Sequence, residues 1–248
     1  MQKIVIIGAT SSMAEHCARL WAAKQPCGFY LLARNAEKLQ NVKNDLLVRS
    51  PQSQIETASF DFLDTQKIQN FAEHCAKGAP IDIVLIAHGT LPDQEEAQND
   101  LELCKSSLAI NAVSSALFME AFAQQLEKSM QGKLAVIGSV AGDRGRKSNY
   151  IYGAPKGLIT RYAQGLQHRF AGSNVHVILI KPGPTATPMT ANLPAKPGNK
   201  RAAVDVVAAQ IVQGIAKNRT TIYTPPLWAL IMWIIRHLPS FIFNKLNI

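Results

Sequence analysis

The chain alternates between two kinds of segment. Short, mostly apolar runs occupy residues 3–7, 29–33, 81–87, 133–138 and 175–180, a further strand-like run with polar residues covers 54–60, and a last extended run covers 221–224. Between them lie stretches with helical apolar spacing at 13–24, 36–48, 65–77, 101–128 (in one piece or two), 152–171 and 204–217. Short runs rich in β-branched residues and followed by glycine or proline read as buried strands. A strand–helix–strand order joins them in parallel through right-handed crossovers. The pattern predicts an α/β chain: an open, doubly wound parallel sheet with helices on both faces. One domain over residues 1–225 is expected, then an apolar and basic extension at 226–248. A chain of 248 residues, 47% hydrophobic and 17% charged, can fill such a core, and it is neither disordered nor collagen-like. Ligands in these sheets bind beyond the carboxyl ends of the strands. That rule selects 8–14, Arg34, Asp61, 87–89, Ser139 and 182–187.

Charge is divided unevenly. Residues 1–127 carry a net −5 and residues 128–248 a net +14, for +9 in all. Either one face meets an anion (a phosphorylated ligand, a membrane surface or nucleic acid) or the excess is a solvated surface. Nucleic acid is disfavoured, because the cations do not interleave with an aromatic platform. The cysteines at 17, 27, 75 and 104 have neither CxxC nor metal-ligand spacing, and the histidines are scattered, so no metal site is expected. Reduced thiols and the absence of a signal-like N-terminus lead to the expectation of a cytoplasmic protein.

The first turn joins a strand to a helix through Gly8, Ala9, Thr10, Ser11, Ser12, Met13 and Ala14. A helix N-terminus presents free N–H groups and a positive dipole end to a pyrophosphate. Gly8 permits the tight turn of a Rossmann fold, while Ser12 and Ala14 stand where further glycines are usual. An acid about 20 residues on would bind the ribose of NAD. Here the second strand ends in Ala33-Arg34-Asn35. Arg34 could meet a 2′-phosphate, so NADP(H) is expected over NAD(H), with a solvated loop arginine as the other reading.

Ser139 follows a strand, and Tyr152 and Lys156 share a helix face four residues apart. Proline at 155 is expected in that helix's first turn, where it is tolerated. A tyrosine with an ordinary pKa of about 10 is a poor acid at neutral pH. A nearby ammonium group and the oxidised nicotinamide would together lower that value. Tyr152 could then give a proton to a carbonyl oxygen held by Ser139 while hydride arrives at carbon.

These residues resemble the short-chain dehydrogenase/reductase family. The resemblance rests on the turn 8–14, Asp61, Gly89, Asn111, Ser139, Tyr152, Lys156 and the run Pro182-Gly183-Pro184-Thr185-Ala186-Thr187, and it covers about residues 3–225. It implies that Gly8, Thr10, Ser11, Ser12 and Met13 hold the cofactor together with Ala87, Gly89, Tyr152 and Lys156. It implies further that Asp61 and Phe62 contact adenine, and that Pro182, Gly183, Thr185 and Thr187 close over the nicotinamide. Asn111 would hold a water in a proton relay behind Lys156. The fourth-strand motif of the family, usually Asn-Asn-Ala-Gly, reads Ile86-Ala87-His88-Gly89 here.

A narrower resemblance joins the stretches 86–96, 139–153 and 235–246 to the decaprenylphosphoryl-ketopentose reductases. It implies reduction of a keto group on a polyprenyl-phosphate sugar, and a flavin oxidase as partner. Arg144, Arg146 and Lys147 lie between Ser139 and Tyr152, where they could meet a phosphate, and Lys196, Lys200 and Arg201 follow Thr187. Arginine's planar fork suits that task; solvated basic loops are the other reading. The tail is apolar from 227 to 235 and again from 241 to 243, interrupted by Arg236, His237 and Pro239. It is too short to span a bilayer. It suits an interfacial helix on the inner membrane face, or a buried core or dimer helix. Two other activities are kept: a soluble carbonyl or 3-ketoacyl reductase, and a non-catalytic nucleotide-binding scaffold. The family resemblance implies a homo-dimer or tetramer.

Overall fold

The structure is a computed structural model and describes residues 1–191 and 201–246. Lys196 and Lys200 lie outside the described residues.

β1 (Gln2–Ile7), β2 (Cys27–Leu32), β3 (Gln54–Ala58), β4 (Ile83–Ile86), β5 (Gly132–Ile137), β6 (Val175–Pro182) and β7 (Thr221–Thr224) form one sheet in the order β3-β2-β1-β4-β5-β6-β7. Every pairing is parallel. The strand order reverses between β1 and β4, which opens a crevice at their carboxyl ends.

Side-chain alternation along β1 shows why the central strands are rich in apolar residues, while the edge strand β3 leaves Gln54 and Glu56 exposed. Ile4 and Ile6 enter one core with α1 (Ser12–Lys24), α2 (Ala36–Arg49) and α8 (Val204–Ala216). Val5 and Ile7 enter the other, with α3 (Thr65–Cys75), α6 (Ser115–Ser129) and α7 (Tyr150–Arg169). Lys3 is buried because its Nζ donates to the carbonyls of Cys75, Lys77 and Ala79 at 2.7–2.9 Å, closing the end of α3.

Two local features depart from the sequence expectation, and a third settles which of its alternatives holds. A helix absent from it, α4 (Gln94–Asn99), starts at Asp93, whose carboxylate accepts from the N–H groups of Glu95 and Glu96. The long stretch after it is broken as α5 (Leu101–Leu108), a π-helical segment Ala109–Ser114 and α6. By length and composition Leu101–Ser129 could cross a membrane, but 61% of its most apolar window is buried in the protein. Finally, α7 begins at Tyr150, so Pro155 is its sixth residue rather than part of the first turn. Pro155 therefore cannot donate to the Ile151 carbonyl.

The tail forms α9 (Leu227–His237) and α10 (Ser240–Phe243). Met232 of α9 is fully buried.

Candidate active site

The carboxyl end of β1 turns sharply at Gly8, whose φ of 78° is the left-handed region that glycine tolerates. The main chain of His88 also comes so close that a Cβ at Gly8 would lie 2.6 Å from its nitrogen. This contact packs the β1 and β4 turns together. Thr10, Ser11, Ser12 and Met13 are half-buried on that turn. Ser11 stands at the N-cap of α1 but makes no side-chain cap bond, so it leaves the helix's first N–H groups available to an anion.

Arg34 is exposed at the end of β2, 5.9 Å above the Phe62 ring. Among the described residues it makes no ion pair. Asp61 is exposed, with one carboxylate oxygen taking the Leu63 N–H at 3.0 Å. Phe62 is 2% exposed, and its ring packs edge-on against His88 and Phe118.

Ala87 and His88 are buried at the end of β4. His88 Nε2 lies 2.9 Å from Ser114 Oγ, while its buried Nδ1 has no partner. Burial, with help from the charges of Lys156 and Arg34, pushes its pKa down to about 3. It is a neutral packing residue in the crevice floor.

Gly89, Asn111 and Lys156 meet: a side chain at Gly89 would lie 2.7 Å from Asn111 Oδ1 and 3.6 Å from Lys156 Nζ. The Asn111 amide is fully buried and occupied. Its Oδ1 accepts from Thr90 N at 3.0 Å, and its Nδ2 donates to the carbonyls of Thr90 and Ser107 at 3.0 Å. The side chain thus ties the β4 loop to the π-helical segment.

Ser139, Tyr152 and Lys156 come together. Ser139 lies two residues beyond the end of β5, and its hydroxyl accepts from Ala141 N at 3.1 Å. The loop after it presses on α7 at Gly142, where a Cβ would lie 2.5 Å from the Lys156 carbonyl carbon. The same helix presents Tyr152, close enough to Ser139 for the serine to influence its titration, and Lys156, whose ammonium is 5.8 Å from the Tyr152 ring centroid and donates to the Ile137 carbonyl at 3.0 Å.

The electrostatics here differ from the expectation that lysine lowers the phenol's pKa. Burial dominates for both groups. It pushes Tyr152 above its ordinary value, with the Ser139 hydroxyl acting the other way, and it pushes Lys156 down to about 8. Each loses hydration that its charged form needs.

The 182–187 turn follows β6. Pro182, Gly183 and Thr185 are buried, and Thr185 Oγ1 donates to the Gly183 carbonyl at 3.0 Å. Thr187 is half-buried, and its N–H donates to Thr190 Oγ1 at 3.2 Å. Trp228 of α9 lies directly on this turn, with its indole Nε1 2.0 Å from where a Gly183 Cβ would be. No motif in the sequence pointed to Trp228. The contact is possible only because residue 183 has no side chain.

The basic loop divides. Arg144 is engaged by the tail: its Nη1 donates to the Ile235 and Leu238 carbonyls at 2.6 and 2.5 Å, and its guanidinium stacks 3.8 Å from the Phe243 ring centroid. It caps α9. Arg146 and Lys147 instead line a cavity of about 350 Å³ with Gly145, Tyr150, Phe243, Asn244 and Leu246. Arg146 Nε is buried without a hydrogen-bond partner among the described residues, and burial pushes the guanidinium's pKa down.

Asp143, in the same loop, forms an ion pair with Lys181 and accepts from the Tyr223 hydroxyl at 2.8 Å. With Lys181 3% exposed, this network anchors the Ser139–Tyr150 connection to the ends of β6 and β7. Sequence reading counted Asp143 only as a charge. Its partners are 38 and 80 residues away, and no local pattern announces them.

This geometry agrees with what the chain is similar to. A family model described as short chain dehydrogenase matches residues 2–198. An uncharacterized oxidoreductase of Streptomyces coelicolor is 28% identical, over 99% of this chain and 96% of its own length. One from Mycobacterium tuberculosis is 27% identical, over 98% and 96%. Among solved structures, a short chain dehydrogenase from Burkholderia cenocepacia in complex with NADP superposes with a TM-score of 0.83 at 18% identity, covering 100% of both chains. Another from Sphingobium yanoikuyae, in complex with NADPH, gives 0.81 at 19%, covering 97% of each. A seven-stranded doubly wound sheet, a glycine turn on its first strand and a serine, a tyrosine and a lysine gathered at its fifth thus sit on a chain whose family model spans most of its length: the protein is an oxidoreductase of the short chain dehydrogenase family.

Proposed function

We propose that this oxidoreductase is an NADP(H)-dependent ketoreductase acting on a keto group of a polyprenyl-phosphate-linked sugar. The observation that carries the reductase chemistry is the buried gathering of Ser139, Tyr152 and Lys156.

The crevice fits a dinucleotide phosphate. The uncapped start of α1 offers N–H groups at Thr10, Ser12 and Met13 to the pyrophosphate, since that of Ser11 is taken by the Gly8 carbonyl, and Arg34 offers a fork to a 2′-phosphate. Bound NADPH supplies the hydride. The chain supplies the rest. Ser139 donates to the substrate oxygen, and Tyr152 gives that oxygen its proton. The upward shift of the phenol suits the direction of reduction, because the proton is still on the oxygen at neutral pH. Lys156, held by the Ile137 carbonyl, keeps a positive charge by the ring and favours the phenolate left behind.

The cavity of Arg146 and Lys147 supports an anionic, lipid-linked substrate. A buried, unbonded guanidinium nitrogen is costly and gains most from a phosphate oxygen. Tyr150, Phe243 and Leu246 beside it suit the first carbons of a prenyl chain. Exposed Leu108, Val113 and Leu158 on α5, the π-helical segment and α7 support a homo-oligomer built through these helices.

The test is NADPH consumption against three ketones: a polyprenyl-phosphate ketopentose, a 3-ketoacyl thioester and a small aromatic ketone. Turnover of the first, with Arg146→Ala raising KM for it alone, is expected. Preference for either of the others, indifferent to Arg146, refutes the lipid-sugar assignment. Tyr152→Phe should abolish turnover and leave NADPH affinity intact; a variant that still turns over refutes the proton-donor role.

A further inference from the structure

Helix α9 is apolar on every side, yet only one side has a partner. Trp228, Met232 and Ile235 point inward at helical spacing, with Met232 fully buried. The opposite side leaves Leu227 64%, Leu230 57%, Trp233 61% and Ile234 48% exposed, and α10 adds Phe241 at 71%. A helix apolar all round is ordinarily covered on all sides. Contiguous exposed apolar surface of this kind marks an interaction face.

Charge discriminates between the things that could cover it. Arg236, His237 and Lys245 flank these residues, and no Asp or Glu follows Asp205. A second copy related by a two-fold axis would present the same cationic patch to itself, with no acid in either tail to pair with it. Anionic lipid headgroups would neutralise it. A tryptophan among aliphatic residues with cations at its border is the composition of a helix lying at the headgroup level. The 11 residues of α9 are too few to cross the hydrocarbon. Arg144 holds the two helices together by bonding the Ile235 and Leu238 carbonyls and stacking on Phe243.

We propose that the outer face of α9 and α10 is a docking surface for an anionic lipid bilayer, seated in the interface without spanning it. The face adjoins the cavity of Arg146 and Lys147, since Phe243 and Leu246 line that cavity. Docking therefore brings the cavity mouth to the bilayer. The proposal does not depend on which ketone the enzyme reduces.

The experiment is sedimentation of the full chain with vesicles of phosphatidylcholine alone and of phosphatidylcholine containing phosphatidylglycerol. The protein should pellet with the anionic vesicles and be released by high salt. Its tryptophan emission should shift to the blue, and Trp233→Phe should remove the shift. Lys245→Gln should weaken anionic-vesicle binding about fivefold, the effect of one basic residue near a charged surface. The triple variant Leu230→Ser, Trp233→Ser, Phe241→Ser should bind NADPH as the parent does and lose about tenfold or more in vesicle affinity. The proposal is overturned if the parent stays in the supernatant with anionic vesicles or if the triple variant pellets like the parent. It is equally overturned if the parent is a dimer that the triple variant splits into monomers, which makes the face a self-interface. An enzyme inactive on every ketone counts against the reductase reading and leaves the vesicle result standing.

Discussion

Replacing Gly142 by alanine tests whether the contact between the Ser139 loop and α7 assembles the site. The added Cβ would lie 2.5 Å from the Lys156 carbonyl carbon, 2.6 Å from its oxygen and 2.8 Å from Gly157 N. All three are backbone atoms of α7, so no rotamer change relieves the overlap. Either the loop carrying Ser139 or the helix carrying Tyr152 and Lys156 has to move. Overpacking of this kind costs about 1–3 kcal/mol of stability, and a shift of about 1 Å between reacting groups can cost about 100-fold in rate. Gly165, on the same helix, is the control, because a Cβ there meets nothing within 4 Å. Gly165→Ala should raise stability by up to about 1 kcal/mol through chain entropy and helix propensity and leave kcat alone. Denaturant midpoints and kcat with saturating NADPH report both quantities. A Gly142→Ala enzyme with the parent's kcat would refute the claim that this close approach sets the distance between Ser139 and the tyrosine.

Three further outcomes are expected. Arg34→Ala should weaken NADPH binding by about 10- to 100-fold, the worth of a charge-assisted bond, and leave NADH binding unchanged; equal losses for both by titration would remove the 2′-phosphate role. Arg144→Ala should free the last carbonyls of α9, costing about 1–3 kcal/mol locally; faster amide exchange over α9 and α10 checks it, and unchanged exchange counts against the cap. Lys156 should make stability rise with pH above about 8. Its folded pKa lies below the unfolded value, so between about 8 and 10 the unfolded chain binds more protons, and the shift is worth about 3 kcal/mol in full. Denaturant midpoints of the parent and Lys156→Met should diverge across that window; parallel curves would contradict it.

What could be read in advance followed from local periodicity. The strand runs matched the seven strands to within a few residues, because the central strands, buried on both faces, are rich in apolar residues. The spacing from Tyr152 to Lys156 was legible because a helix fixes what lies four residues on. Helix α4 was missed although Asp93, Glu95 and Glu96 carry its start signal, since its six residues are too few for a period to show. The first residue of α7 was misplaced because Asn149 provides no side-chain cap to mark it.

Sequence by itself determined the class of fold, the order of its parts and which residues reach the carboxyl end of the sheet, since these depend on neighbours a few positions apart. Tertiary structure alone decided what those residues are free to do. It spent Arg144 on the carbonyls of α9, turned Phe62 into the core, occupied Asn111 with Thr90 and Ser107, set Trp228 on Gly183 and joined Asp143 to Lys181. Each of these depends on atoms brought together from distant parts of the chain. A hydrogen bond or a van der Waals contact is selected by position in space, and one-dimensional spacing does not encode that position.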